Sequence, residues 1–395
     1  MSHSLVARMK KELHLLKPSD ILQFDHDVSS IPGMIKLTLG EPDFNTPEHI
    51  KRAGQASIAA NRSHYAPSDG TPELRRAIAR FLQVKYGLHY RPEDQIVVTE
   101  GATEAIYSTL GAILNPGDRV LIPTPIFPLY IPVTQLNGAE PVFLDTSANH
   151  FVLSPDVLAQ ALEKYGSSVK AIIFNFPTNP TGVTYRRDAL KAIAKVLSGR
   201  DIFAVSDEIY SELTYGERHV PLAEYLPEQT VLINGASKSH AMTGWRIGFL
   251  CGPADVIAKI GMVHQFTITS AATMAQDAAR EAFANGLNDG PKMCDEYRCR
   301  RDFVYRKLQQ FGFDCPKPEG AFYLFPKIPA GLIQDSLPFC LDLARKAKVA
   351  VIPGDSFGPG SEGRIRISYA ASMDELEEAM RRIGQYIQSE KRSAK

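Results

Sequence analysis

A lysine amine can condense with a carbonyl to form a Schiff base, and Lys238 ends the run Gly235-Ala236-Ser237-Lys238. Asp207, in Ser206-Asp207-Glu208-Ile209-Tyr210, is an acid that can pair with a ring nitrogen that must stay protonated. Tyr210 and Asn179 can hydrogen-bond a phenolic oxygen. Gly101-Ala102-Thr103 follows an apolar run and opens a helical pattern, so its backbone N–H groups and helix dipole suit a phosphate. Ser237 and Arg246 add a hydroxyl and a planar fork of donors for the same anion. Alone, each residue has a plainer explanation: a solvated surface lysine, a helix N-cap at Asp207, a tight turn at Gly101, an ordinary turn at Asn179-Pro180, a surface ion pair at Arg246. Together they match a phosphate, a pyridinium, a phenolate and an aldehyde, which are the parts of pyridoxal 5′-phosphate.

The elements around these residues alternate in type. Short β-branched runs occur at Gln95–Thr99, Val120–Pro123, Pro141–Leu144, Ala171–Asn175, Ile202–Ser206, Val231–Asn234 and Trp245–Cys251. Helical patterns follow many of them, which predicts an α/β fold. Its large domain has a mostly parallel seven-stranded sheet between helices. In such sheets ligands bind beyond the carboxyl ends of the strands, where the residues above fall. Thr46-Pro47-Glu48, Thr71-Pro72-Glu73 and Ser154-Pro155-Asp156 each offer a capping hydroxyl, a first-turn proline and an acid, predicting helices from about 47, 72 and 155. The last third is different. Pro291 to about Gln310 is charged and helical, Ala321–Phe325 and Ile365–Tyr369 read as strands, and Ser372-x-x-Glu375 is a capping box opening a final helix. We expect a large domain over 46–285 and a smaller α+β domain built from 1–45 and 286–395.

The 395 residues carry 44 Lys plus Arg and 44 Asp plus Glu, so the zero net charge argues against a general nucleic-acid binder. Five cysteines without C-x-x-C spacing argue against a disulfide scaffold or a cysteine zinc site. The first ten residues lack a long apolar stretch, and no apolar run approaches the roughly 20 residues of a membrane span. A cytoplasmic enzyme without metal, membrane or nucleic-acid partner is expected.

Beyond these readings, the chain resembles the class I/II aminotransferases of the fold-type I pyridoxal-phosphate superfamily. The resemblance rests on Leu39-Gly40-Glu41-Pro42-Asp43-Phe44, Asn175–Gly182, Ser206–Tyr210, Ser237-Lys238 with Thr243–Gly248, Gly320-Ala321-Phe322-Tyr323 and Arg364–Ser368. It implies Lys238 as Schiff-base lysine and proton shuttle, Asp207 at the pyridine nitrogen, and Tyr210 and Asn179 at the ring oxygen. It implies a phosphate cup of Gly101, Ala102, Thr103, Ser237 and Arg246. Phe127 falls where the family stacks an aromatic ring on the cofactor, and as plain sequence it also fits a core aromatic. Tyr65 resembles a tyrosine that reaches the neighbouring subunit's phosphate, which implies a homodimer with shared sites. Arg366 resembles the clamp of the substrate α-carboxylate, with Gly40 and Asn179 as helpers. Arg364 lies two residues away, on the same face of a strand, so alternation cannot separate the two arginines. One departure stands out: Gly235 takes the place of a serine found in many members, so one phosphate hydroxyl is missing, to be covered by backbone, Thr103 or Tyr65.

The resemblance implies ping-pong transfer of an amino group from an L-amino acid to a 2-oxo acid such as 2-oxoglutarate. A dedicated aspartate enzyme is disfavoured, since some acidic-substrate relatives carry a lysine where this chain has Thr103. Phe24, Tyr130 and Tyr323 fit either an apolar substrate pocket or packing. The expectation is an aromatic or broad-range donor. The alternatives are a biosynthetic aminotransferase acting on N-acetyl-diaminopimelate or aspartate, a C–S β-lyase or decarboxylase on the same fold, and a cofactor-sensing regulator. The last is disfavoured because the motifs begin near residue 35.

Overall fold

The seven β-rich runs form one sheet in the computed structural model, which describes residues 5–393. In spatial order the strands are Ile96–Thr99, Gly248–Cys251, Thr230–Gly235, Phe203–Asp207, Val169–Asn175, Arg119–Thr124 and Glu140–Asp145. Only Gly248–Cys251 runs antiparallel to its neighbours. Alternate side chains feed opposite faces. Val97, Val120, Ile122, Ala171 and Ile173 pack in one apolar cluster, and Leu121, Ile172 and Phe174 pack in another. This two-sided burial explains why the strands read as unbroken apolar runs. Each fully buried Leu or Ile contributes roughly 1.5–3 kcal/mol.

A further cluster draws on both ends of the chain. Phe24, Val28 and Leu37 pack with Phe339, Leu343, Ile365, Ile367 and Leu376. Ile35–Lys36 pairs parallel with Val349–Ala350, and Ile365–Ser368 lies between Ile352–Pro353 and Tyr323–Leu324. Ile209, Tyr210 and Leu213, just past the Phe203–Asp207 strand, belong to the same cluster. The elements that carry Asp207 and Arg366 therefore share one core.

The helices begin near the expected positions, with different caps. At Pro155–Tyr165 the Ser154 side chain accepts from the Asp156 N–H, and Ser372 and Glu375 form the reciprocal box before Met373–Ser393. Thr71 precedes Pro72–Tyr86 without a side-chain cap bond. Thr46 is not a cap either. Its helix is Glu48–Ala59, and its hydroxyl donates to the Ala241 carbonyl (2.6 Å) and accepts from Trp245 Nε1 (3.1 Å). The Trp245–Cys251 run is a strand only from Gly248, because Thr243–Trp245 is a 3-10 turn and Arg246 takes a left-handed conformation (φ 56°). The strand expected at Ala321–Phe325 shrinks to Tyr323–Leu324. The N-terminal leader reading and both domain ends include residues 1–4 or 394–395, which lie outside the described residues.

Candidate functional site

Thr99, Gly235, Asp207, Asn175 and Thr124 end their strands along one edge of the sheet, and in register Asn175 faces Asp207 and Gly235 faces Gly248. A cavity of about 370 Å³ opens there. Its wall includes Gly40, Ala102, Thr103, Phe127, Asn179, Asp207, Tyr210, Ser237, Lys238, Arg246 and Arg366. Eleven of the thirteen residues singled out from the sequence thus meet in one space. Gly101 stands just behind the wall, and Tyr65 lies elsewhere, 88% exposed.

Asp207 is buried. Its Oδ2 accepts from the Tyr130 hydroxyl (2.7 Å) and its Oδ1 from the Ile209 N–H (3.1 Å). Burial pushes its carboxyl up to about 6, and the bonds from Tyr130 and Ile209 oppose that rise. Asn175 steadies the strand end, donating to the Asp207 carbonyl (3.2 Å) and accepting from the Asn179 N–H (3.0 Å).

Lys238 sits on a single helical turn, Ala236–Ser239, after the Thr230–Gly235 strand. Its Nζ donates to the Gly40 carbonyl and lies 5.7 Å from the Tyr210 ring centre. Burial in the wall pushes its amine down to about 8, against the attraction of Glu41. Near neutral pH a usable fraction is therefore the free base that adds to carbonyls.

The residues expected to form the phosphate cup come together through close backbone approaches. Gly101 begins the Gly101–Ile113 helix at φ 76°, and a Cβ there would lie 2.5 Å from Arg246 Nη2. A Cβ on Gly248 would meet Ala102 N at 2.6 Å. Glycine at both places lets the strand, the helix N-terminus and the arginine close together. Gly235 has the same cause: a Cβ would strike the Ile247 carbonyl at 2.8 Å and Gly248 Cα at 2.9 Å. No serine fits this backbone, and the hydroxyls that line the cavity here belong to Thr103, Ser237 and Thr243.

Arg366 is 2% exposed. Its Nη1 donates to Asn179 Oδ1 (3.0 Å) and its Nη2 to the Thr38 carbonyl (2.6 Å), while Nε has no partner. Its guanidinium lies 4.7 Å from the Tyr323 ring centre and 5.1 Å from that of Phe357. A buried arginine on a cavity wall, with a second N–H left on each terminal nitrogen, is suited to a carboxylate. Arg364 does not line the cavity: it donates to the Phe325 carbonyl and stacks over Phe151. Of the three aromatics weighed as pocket residues, only Tyr130 touches the cavity, while Phe24 and Tyr323 pack behind it.

Several lining residues were not singled out from the sequence. Asn175 had a usable signal, a lone amide ending an apolar strand. Thr38, Asp25, Glu41, Ile21 and Leu22 had none, since a long-range fold brings them to the cavity. Asp25 accepts from Thr38 Oγ1 (2.7 Å) and from Lys36 Nζ (3.1 Å), which ties the helix Asp20–Ser29 to the residue that holds Arg366. Among the described residues there is no His/Cys/Asp/Glu cluster suited to a metal, and no helix is long and apolar enough to cross a membrane. The five cysteines are free.

Comparison with known proteins follows the same lines. The family model "Aminotransferase class I and II" matches residues 32–383. A probable N-acetyl-LL-diaminopimelate aminotransferase of Bacillus subtilis is 43% identical, the match covering 95% of this chain and 96% of that protein. An aromatic-amino-acid aminotransferase of Thermococcus litoralis is 37% identical over 97% and 99%. The solved aspartate aminotransferase of Thermus thermophilus with maleate superposes at a TM-score of 0.90, with 34% identity, covering 95% and 99%.

Proposed function

The chain belongs to the class I and II aminotransferases, enzymes that depend on pyridoxal 5′-phosphate, and we propose the following division of labour at its site. The observation that carries it is the meeting of Lys238, Asp207 and buried Arg366 on one cavity wall. Lys238 holds the cofactor carbonyl, and Gly101, Ala102, Thr103, Ser237 and Arg246 hold its phosphate. Asp207 keeps a proton on the ring nitrogen, Tyr210 and Asn179 bind the ring oxygen, and Phe127 stacks on the ring. The residues fit the group: the glycine approach at Gly101 leaves Arg246 and the helix N-terminus side by side, and the buried acid Asp207 lines the same cavity. When bound, the cofactor supplies an electron sink for the substrate α-carbon.

The protein's own steps then follow. Arg366, steadied by Asn179 and Thr38, fixes the substrate α-carboxylate, with Gly40 beside it. Lys238, freed once the substrate amine takes its place on the carbonyl, would take up the α-proton as general base and later give it back. Tyr65 is exposed and outside its own chain's cavity, which supports a homodimer in which it reaches the second copy's phosphate. Residues 46–285 act as the cofactor domain, and 1–45 with 286–395 as the smaller domain. The setting is cytoplasmic.

For the donor, we read an aromatic or broad-range L-amino acid, with 2-oxoglutarate as acceptor. All three cations lining the cavity, Lys238, Arg246 and Arg366, are already engaged, and Ile21, Leu22, Leu39 and Ile106 give the rest an apolar wall. A second reading, N-acetyl-diaminopimelate as donor, is favoured by the printed name of the 43% identical relative. Visible spectra of the protein loaded with pyridoxal phosphate test both. Bleaching by aromatic donors and recovery with 2-oxoglutarate support the first reading. Bleaching by N-acetyl-diaminopimelate alone supports the second. No visible band overturns the Lys238 assignment.

A further inference from the structure

Tyr323 is buried with its hydroxyl 2.7 Å from that of Tyr210. Its ring lies under the Arg366 guanidinium, 4.7 Å away. A Cβ on Gly40, whose carbonyl accepts from Lys238, would come within 3.0 Å of the Tyr323 oxygen. Tyr323 thus stands between the group at the ring-oxygen end of the cavity and the arginine at its carboxylate end, without lining the cavity itself. Among the described residues, the Tyr210 and Tyr323 hydroxyls bond to each other and make no further hydrogen bond.

Each hydroxyl has one proton. If Tyr210 donates its proton to a ring oxygen, it cannot also donate to Tyr323, so the short contact between the phenols must then run the other way. We propose that Tyr323 is a positioning residue for the reaction: in the loaded enzyme its hydroxyl donates to Tyr210, which commits the Tyr210 proton to the cofactor ring oxygen. The inference rests on the assignment of Tyr210 to that oxygen. The chain of bonds has a direction. Donation from Tyr323 polarises the Tyr210 O–H and strengthens its bond to an anionic oxygen. The Arg366 cation above the Tyr323 ring favours the same polarity, because it makes the phenol a better donor. The ring also gives Arg366 a flat support, so one side chain orders both ends of the site.

The test uses the full-length protein loaded with pyridoxal phosphate. Tyr323→Phe keeps the ring under Arg366 and removes only the hydroxyl. The pH midpoint of the visible absorption band reports how well the ring oxygen is stabilised as an anion. We expect Tyr323→Phe to raise that midpoint by roughly half a unit, about threefold in the proton equilibrium, because the Tyr210 donation weakens. In a Tyr210→Phe background the same substitution should have no further effect, since its influence passes through Tyr210. Binding of maleate, followed by its change to the same spectrum, should alter less than threefold in Tyr323→Phe, because the aromatic support of Arg366 remains. An unchanged midpoint in Tyr323→Phe, or an equal shift in the Tyr210→Phe background, overturns the proposal. A wild-type protein that shows no visible band refutes the Lys238 reading instead, so the two failures are separable.

Discussion

Replacing Arg366 by lysine keeps the charge and removes the fork. In the wild-type chain Nη1 and Nη2 are each spent on a fixed acceptor, Asn179 Oδ1 and the Thr38 carbonyl, and Nε is idle. Each terminal nitrogen keeps a second N–H, and a carboxylate can take these charge-assisted bonds. A lysine ammonium has three donors on one atom, and the Asn179 and Thr38 acceptors claim two of them. At least one charge-assisted bond to the substrate is lost, worth about 1.5–3 kcal/mol, or roughly ten- to hundredfold in kcat/KM. The fall should appear for every amino donor, because the α-carboxylate is common to all. The visible spectrum of the loaded enzyme should stay, since Arg366 is not expected at the cofactor phosphate. Arg364→Lys is the control. Arg364 lies over Phe151 and outside the cavity, so its kcat/KM should stay within about twofold. Stopped-flow mixing with single donors measures both. If Arg366→Lys falls less than threefold, or Arg364→Lys falls as far, the carboxylate assignment is refuted.

Four further outcomes are expected. In the cofactor-free protein Asp207 titrates near 6, above the 3.8 of an ordinary aspartate, so its contribution to stability is complete below the ordinary value and is lost as pH rises through 6. Asp207→Asn should therefore be more stable than wild type at pH 8, by about 3 kcal/mol. Urea unfolding should show the gap closing toward pH 4, whereas a gap independent of pH would contradict the burial argument. The rate at which the free protein captures pyridoxal phosphate should climb through about pH 8 as Lys238 loses its proton, then level off; a flat profile counts against Lys238. Gly101→Ala places a methyl 2.5 Å from Arg246 Nη2 on a left-handed backbone, and should loosen cofactor retention about tenfold or more in equilibrium dialysis. Tyr65→Phe should weaken retention similarly without changing the sedimentation mass, and unchanged retention would argue against a contribution from the second copy.

The sheet was legible because its strands are short apolar runs, and six of the seven end in a polar residue or glycine, a local signal. Two kinds of information were not local. The first is backbone sign. Trp245–Ile247 reads as strand by composition, yet Arg246 must adopt φ 56° to turn its guanidinium toward Gly101, so the strand starts only at Gly248. The second is contact across the sheet. Tyr130 reads as either a pocket or a packing aromatic, and nothing near it in sequence reveals that its hydroxyl meets Asp207, 77 residues away. The same holds for Thr38, whose carbonyl braces Arg366 from 328 residues away. Alternation could not choose between Arg364 and Arg366, and the fold separates them: Arg366 lines the cavity, whereas Arg364, in an isolated bridge to Lys327 just before the Ile365–Ser368 strand, lies over Phe151.

Neighbouring acids show how the fold separates support from chemistry. Asp207 and Glu208 are consecutive and both are buried. Glu208 points away from the cavity and is saturated: its Oε1 accepts from Ser206 Oγ and the Leu222 N–H, and its Oε2 meets His219 Nε2 at 2.6 Å. That network pins the strand end from behind. Asp207 instead lines the cavity. A buried carboxylate costs free energy wherever it stands, and Glu208 recovers that cost within the fold through its partners. Asp207 recovers only part of it from Tyr130 and Ile209, as its raised titration shows. Lys238, pushed down, and Arg366, with an idle Nε, are likewise incompletely compensated. The residual penalties of three residues from separate elements converge on one cavity, so a ligand offering a cationic ring nitrogen, a carbonyl and a carboxylate would relieve all of them together.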